Sequence, residues 1–395
     1  MRRLGSLVMR TAEGSRVPAG AALAVDREVF ARTVTESLAA HRLITIVRGE
    51  VASIPDSTER QPVILATGPL TSEALSRDLA RLIGQEYLYF YDAISPIVLA
   101  ESIDPDKVFR QSRWDRNVRD IRLTPDIGCG IDDGAGDYLN CPMTREEYER
   151  FYDALVHAES ATVHDFDKAI FFEGCLPIEV MAHRGQDTLR FGPMKPVGLV
   201  DPRTGRAPYA VVQLRQDTLA GEHYSLVGFQ TQLKWGEQER VLRLIPGLER
   251  AEFVRFGMVH RNTYINGPTV LAETWQVKRR PSLFCAGQMS GVEGYVESAA
   301  SGLLAGLNAA ALALGRPTSV PPRTTAIGAL SYYVSHADSA HYQPSNITFG
   351  IMPPLARAPK HKLARKLAVS DRALADLGTW MHERTSQRLP AVSPA

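Results

Sequence analysis

The chain has 395 residues, 44% of them hydrophobic, a length and apolar content that suit two or three domains with real cores. Its 45 Lys and Arg balance 44 Asp and Glu, so global charge singles out no acidic partner. Cys129, Cys141, Cys175 and Cys285 form no C-x-x-C pair and no His-rich cluster lies near them. That argues against zinc or any other metal site and for a reducing, cytoplasmic compartment.

In chain order, Met1–Arg10 is charged but leads into no apolar stretch, so it does not read as a secretory leader. Asp26 is placed to cap a helix running to about His41, with Val29, Phe30, Val34 and Leu38 on one face. Ile44–Val47 and Val63–Ala66 read as strands, the second inside PVILATGPL at Pro62–Leu70. Residues 1–70 are therefore expected to belong to a nucleotide-binding lobe. From about Thr71 to Lys278 the pattern becomes mixed, as in an inserted α+β domain (71–278). There, Thr144–Glu147 (TREE) predicts a capping box for a helix through Tyr148, Phe151, Tyr152 and Leu155. Tyr209–Leu214 and Tyr224–Phe229 read as antiparallel strands joined near Gly221.

The return segment, residues 279–320, holds LFCAGQMSGVEGYVESAASGLLAG at Leu283–Gly306. It reads as a buried strand (Ser282–Ala286), a turn with Gly287, Gly291 and Gly294, and a helix of small residues. Its most apolar stretch, Gly302–Gly315, is too short to span a bilayer and contains Asn308, so no membrane association is expected. Past Pro317, Pro321 and Pro322 comes a helical region (321–389) and a tail (390–395) read as disordered. From Leu355 to Ala395 there are eight Lys or Arg against three Asp or Glu. That excess suits either phosphates or a solvated basic helix.

Two apolar strands that each run into a glycine turn, ATG at Ala66–Gly68 and AGQ at Ala286–Gln288, have the geometry for a dinucleotide. Glycine lets the backbone turn tightly and approach a ligand, and a following helix N-terminus suits an anionic or carbonyl oxygen. The plain structural reading is a close helix–sheet contact that needs small residues. The pair resembles flavoproteins with two dinucleotide-binding lobes. Such proteins open with G-x-G-x-x-G, and the nearest match here, Gly128–Gly134, is one residue too long, follows no apolar strand and carries Asp132 and Asp133, which repel a pyrophosphate. The stretch reads instead as a surface loop. The expectation is that the chain starts late relative to its relatives, with an exposed apolar sheet edge, or does not hold FAD.

Longer strings carry a closer resemblance. MRRLGSL (Met1–Leu7), VPAGAALAVDR (Val17–Arg27), ATGPLTS (Ala66–Ser72), EYLYFYDAISPIV (Glu86–Val98), DYLNCPMT (Asp137–Thr144), FFEGCLPIEVMAHRG (Phe171–Gly185), FGPMKPVGLVDPRTG (Phe191–Gly205), VGFQTQLKWGEQ (Val227–Gln238), IPGLERAEFVRFG (Ile245–Gly257), HRNTYIN (His260–Asn266) and the AGQ helix follow one another in order. Together they resemble the folate- and FAD-dependent tRNA uracil-5-methyltransferase family, TrmFO, over nearly the whole chain. The resemblance implies an α/β fold: a Rossmann-like FAD-binding lobe, its first βαβ unit missing, with an inserted mixed α+β domain. It implies methylation of C5 of a T-loop uridine in tRNA, conventionally position 54. The carbon comes from methylenetetrahydrofolate, the electrons from reduced FAD, and NAD(P)H is the expected reductant. The FEGC block argues against the related wobble-uridine type. The alternative is a flavin-free tRNA-binding remnant without activity.

Of the family's two functional cysteines, Cys175 is the one that carries over. A thiolate suits addition at C6 of uracil because it is both nucleophile and leaving group. Glu173 and Glu179 would oppose the thiolate if close, so Arg184, Lys195 or the flavin is expected to activate it. Cys141 and Cys285 are assigned to structure, and Cys129 lies in an insertion at about 117–131. Cofactor contacts are expected at Gly68, Gly287, Gln288, Gly291, Gly294 and Tyr295. His260, Arg261 and His336 are candidates for folate or RNA, since imidazole stacks and Arg clamps carboxylate or phosphate. Lys234 with Trp235 joins a cation to an aromatic face suited to an unstacked base. Each has an ordinary structural reading beside it.

Overall fold

The computed structural model describes residues 1–20, 22–84, 88–115, 136–161 and 176–386, with side chains for all but 88–92, 115, 260, 261, 385 and 386. In order the elements are α1 (Leu7–Gly14), β1 (Arg16–Val17), β2 (Ala24–Val25), α2 (Arg27–Ala39), β3 (Val63–Leu65), α3 (Glu73–Ile83), β4 (Leu88–Ala93), β5 (Ile97–Leu99), β6 (Phe109–Arg110), β7 (Tyr138–Met143), α4 (Arg145–Val156), α5 (Ile178–His183) and α6 (Thr188–Phe191). They continue with β8 (Ala210–Gln216), β9 (His223–Leu226), α7 (Trp235–Leu242), β10 (Phe253–Arg255), β11 (Val259–Tyr264), α8 (Gly267–Val270), β12 (Gln276–Val277), β13 (Arg280–Cys285), α9 (Tyr295–Ala313), α10 (Ala326–His336) and α11 (Lys362–Ser386). Residues 2–46 and 90–261 make one compact unit, and 47–89 with 262 onward make another. The chain passes from one to the other along β4 and returns along β11, and these two strands pair.

The first unit is built on a six-stranded antiparallel sheet in the order β10-β5-β9-β8-β7-β6. Strand side chains alternate between faces, and β8 shows what that does here. Ala210, Val212 and Leu214 join the main core with Tyr148, Phe151, Leu155 and Phe229. Val211 points the other way, against Phe109 and Leu199. Gln213, on that second face, donates to Asn140 Oδ1 at 2.9 Å and accepts from Arg113 Nε at 2.9 Å, so the buried amides are paired. Helix starts follow the capping chemistry read from sequence. Thr144 and Glu147 form the reciprocal box that opens α4, at 3.2 and 2.8 Å. Asp26 accepts from the N–H groups of Glu28 and Val29, each at 3.0 Å, and its second oxygen accepts from Leu219 N–H at 2.8 Å. Burial works against the charge of Asp26, but these three bonds outweigh it and hold its carboxyl below the usual range.

The second unit has a smaller sheet, β12-β13-β3, with β13 and β3 parallel in the register Leu283↔Val63, Phe284↔Ile64 and Cys285↔Leu65. Leu283 through Ala286 are wholly buried, and α9 and α10 lie in the same unit. Cys285 and, in the first unit, Cys141 are core residues as assigned from sequence. Burial pushes the Cys285 thiol up to about 12 and the Cys141 thiol higher still, so neither ionises near neutrality.

Several elements differ from expectation. Ile44–Val47 is not a strand: no partner pairs with it among the described residues, and Ile44 and Val47 are exposed. β propensity holds only where a ladder and a buried face exist. Residues 2–46 fall with the antiparallel unit, not with 47–70, because they bond into it: Tyr138 Oη donates to Ala19 O at 2.7 Å, and Gly20 N–H to Asp137 at 2.7 Å. Helix α9 starts at Tyr295, seven positions before the apolar stretch, and its 19 residues reach membrane-spanning length and hydropathy. Its buried face carries Ser301 and Asn308, and the Asn308 amide donates to Thr274 O and accepts from Ser319 N–H, as in a core helix. Residues 117–131 with Cys129, Gly128–Gly134, Cys175 and the 390–395 tail lie outside the described residues.

Glu179 on α5 is 3% exposed and accepts from Thr231 Oγ1 at 2.9 Å and Gln232 N–H at 2.8 Å. Burial raises its carboxyl above the usual range, and those two bonds offset it only in part. Below the unfolded value, about 4.3, the group is neutral in both states. Above it the unfolded chain ionises first, and the native state loses stability until pH passes the raised native value. The stability difference between Glu179→Gln and the parent is expected to shift in favour of the variant as pH rises from about 4 and then to level off. Urea midpoints across that range check this, and a pH-independent difference contradicts it.

Candidate functional site

The parallel pair β3–β13 carries its ladder to the last residue before each glycine turn, with Ala286 N–H donating to Leu65 O at 2.9 Å. Ala66-Thr67-Gly68 and Ala286-Gly287-Gln288 therefore leave the sheet side by side at its carboxyl end, where α/β sheets bind ligands. Thr67 Oγ1 lies 3.5 Å from Met289 Sδ and 2.6 Å from Thr71 Oγ1, which ties the two turns together.

The glycines are not equivalent. Gly68 (φ +74°) and Gly287 (φ +78°) have open space where a Cβ would sit. Gly287 also takes ψ −159°, a conformation that glycine alone adopts readily, and its N–H donates to Ser301 Oγ at 2.8 Å. A Cβ on Gly291 (φ +82°) would run into the hydroxyl of Tyr342, and one on Gly294 into the carboxylate of Glu297. Gly291 thus serves the packing of buried Tyr342, whose Oη donates to Ser290 O at 2.8 Å. The oxygen expected at the positive end of α9 comes from the chain itself, in Glu297 of its first turn. Gln288 Nε2 donates to Glu293 at 2.9 Å, and Tyr295 is 96% exposed.

His336 ends α10, with its ring stacked on Tyr332 at 4.3 Å and Nδ1 2.8 Å from Ser335 Oγ. The Arg323 guanidinium lies over the ring of Tyr332, 3.3 Å from its centroid. His260 and Arg261 sit on β11, and their side chains are outside the described set.

In the antiparallel unit, Lys234 precedes α7 and its Nζ pairs with Glu159 at 2.6 Å, a bond that raises the ammonium pKa. Trp235 is 61% exposed and stacks on Phe256 (5.8 Å, 16°), which stacks on Phe253 (5.0 Å, 21°). Sequence reading found the Lys–Trp pair but not the two phenylalanines that hold the indole in place. Their spacing of three in Phe253–Phe256 was the available signal. Glu297 and Tyr342 were likewise missed; the first, three residues beyond Gly294, was open to reading from local spacing, whereas only the folded chain brings the second to the glycine turn.

Residues 1–317 match the family model described as "Glucose inhibited division protein A". The methylenetetrahydrofolate–tRNA-(uracil-5-)-methyltransferase TrmFO of Desulforudis audaxviator is 58% identical over 385 residues, covering 97% of this chain and 83% of that protein. The protein of the same name from Heliobacterium modesticaldum is 55% identical over 384 residues, again 97% of this chain and 83% of its relative. The chain belongs to the TrmFO family. Crystal structures of Aquifex aeolicus GidA share its fold, with TM-scores of 0.58 and 0.56 at 18% and 19% identity over 79% of this chain. This chain spans about half of those molecules, 52% and 54% of their length. The likeness bears out the α/β, Rossmann-like class read from the TrmFO family blocks.

Gly68→Ala is expected to cost about 1 kcal/mol, the usual price of a side chain in the left-handed region. Gly291→Ala adds the collision with Tyr342 and is expected to cost about 3 kcal/mol. Denaturant titration of both variants checks the difference, and equal losses would mean that Tyr342 yields freely.

Proposed function

We propose that this protein methylates C5 of a tRNA uridine, at T-loop position 54, using methylenetetrahydrofolate as carbon donor, FAD as redox cofactor and NAD(P)H as reductant, in the cytoplasm. The observation that carries the reading is the 58% identity over 97% of the chain to a protein named for that reaction. The fold supports it. Two glycine turns stand together at the carboxyl end of two parallel strands, and at Gly68 and Gly287 the backbone is bare on its open side. A dinucleotide fits such a surface, and Gly68, Gly287 and Gln288 would hold FAD there, with Gly291, Gly294 and Tyr295 shaping the turn behind them.

Reduced FAD supplies the electrons that leave the transferred carbon as a methyl group. The chain's own part begins with a thiolate. Cys175 adds to C6 of uracil, which makes C5 nucleophilic; C5 takes the one-carbon unit and gives up its proton, and elimination of the thiolate restores the ring. The other two thiols with described surroundings, Cys141 and Cys285, are buried and held protonated, which supports this assignment. Glu179 is engaged by Thr231 and Gln232, and activation of Cys175 is assigned to Arg184, Lys195 or the flavin. His260, Arg261 and His336 are assigned to folate or RNA. Trp235, preset by Phe256, is assigned to stacking on a nucleobase of the T-arm, with Lys234 beside it.

Incubation with T-arm-containing tRNA transcript, labelled methylenetetrahydrofolate, FAD and NADPH, followed by nuclease digestion and mass spectrometry, tests the reading. Label is expected as 5-methyluridine at the T-loop, abolished by Cys175→Ala. Absence of 5-methyluridine from a reaction in which tRNA is bound would overturn it. Trp235→Ala is expected to weaken tRNA binding by about 1–3 kcal/mol, the range for loss of one base–aromatic stack. Trp235→Phe should retain most of the affinity in the same titration.

A further inference from the structure

We propose that the exposed basic segment Arg357–Lys366, where the chain enters α11, docks the phosphate backbone of the RNA substrate; this rests on the tRNA reading above. No Asp or Glu occurs between Asp338 and Asp371, while Arg357, Lys360, Lys362, Arg365 and Lys366 fall within that interval. All five are exposed, and among the described residues none has a carboxylate partner. Elsewhere Arg145, Arg190, Arg203, Lys234, Arg240 and Arg243 each meet an acid, and exposed cations without an ion pair among the described residues, such as Arg27, Arg32, Arg42, Arg48 and Arg60, alternate in sequence with Glu28, Glu36, Glu50, Asp56 and Glu59. A chain with a net charge of +1 therefore concentrates unneutralised cations in one short stretch.

Helix stability does not account for that placement. The 25-residue α11 has no acid in its first turn, and cations at the positive end of a helix are unfavourable. Clustered ammonium and guanidinium groups without counter-charges are what a polyanion uses, through release of its condensed counterions. A bilayer with anionic lipids is the competing polyanion, because Leu363, Leu367 and Leu374 are also exposed on this helix. Two observations favour RNA. Arg357 and Lys360 precede the helix in irregular chain, so the cations are not arrayed along one helix face. Further on, Val369, Leu377 and Trp380 of α11 are buried in the unit's own core, which keeps the rest of the helix from lying on a membrane.

The test is the salt dependence of tRNA binding by the full chain, measured by anisotropy between about 50 and 300 mM KCl. The triple variant Lys360→Ala/Lys362→Ala/Lys366→Ala is expected to flatten the slope of log K against log salt by about 2 to 3 and to weaken binding roughly 10²-fold near 0.1 M salt. The control Arg145→Ala/Arg240→Ala, which removes two paired cations, should leave the slope as it was. Circular dichroism confirms that both fold. An unchanged slope in the triple variant, or an equal fall in the control, overturns the proposal. So does a triple variant that keeps its tRNA slope but loses binding to phosphatidylserine-containing vesicles. A parent protein with no salt-dependent tRNA binding at all instead overturns the tRNA reading on which this rests.

Discussion

Parallel pairing of β3 with β13 is the contact on which the rest of the arrangement depends. The partners are separated by roughly 220 residues of chain, and closing a loop of that length by diffusion alone carries an entropic cost on the order of 5 kcal/mol. The intervening chain lowers that cost through its own structure. The antiparallel unit has a separate core of aromatic and aliphatic residues around β8, and the strands that leave and re-enter, β4 and β11, pair with one another. Pairing of β4 with β11 leaves only the shorter stretches from β3 to β4 and from β11 to β13 to be closed. Both glycine turns owe their proximity to this ladder and to nothing local.

Burial then sorts the reactive groups. Cys141 and Cys285 are enclosed, so desolvation keeps them as thiols and leaves them as small apolar fillers. Glu179, also enclosed, keeps its acceptor capacity in use through Thr231 and Gln232, as a buried polar group must. Tyr342 works similarly in the other unit: its hydroxyl satisfies Ser290 O, and its bulk dictates glycine at position 291. Apolar enclosure and hydrogen-bond satisfaction, rather than any special chemistry, explain these buried groups.

Surface charge follows a separate logic. Exposed ion pairs such as Lys234–Glu159 and Arg240–Glu237 contribute little to stability individually. Lys234 and Arg240, on either side of exposed Trp235 in sequence, are each neutralised by such a pair. Stacking on Phe256 and Phe253 removes the indole's freedom beforehand, which reduces the ordering cost of any flat ligand laid on it.

Local rules were legible from sequence wherever one short segment contained all the interacting groups. Asp26 with the N–H groups two and three residues on and Thr144 with Glu147 are complete within a few positions. The ordered family strings, likewise, needed no structure to be read. Ile44–Val47 shows the limit: four β-prone residues make no strand without a partner, and a partner is a tertiary fact. The collision that makes Gly291 obligatory and the stack of Phe256 behind Trp235 join residues that local spacing does not relate. Sequence by itself determined helix caps and family membership, because each is encoded in local hydrogen bonding or residue identity. Only the tertiary structure decided which glycines face open space and which serve packing, because that depends on what distant chain is folded against them.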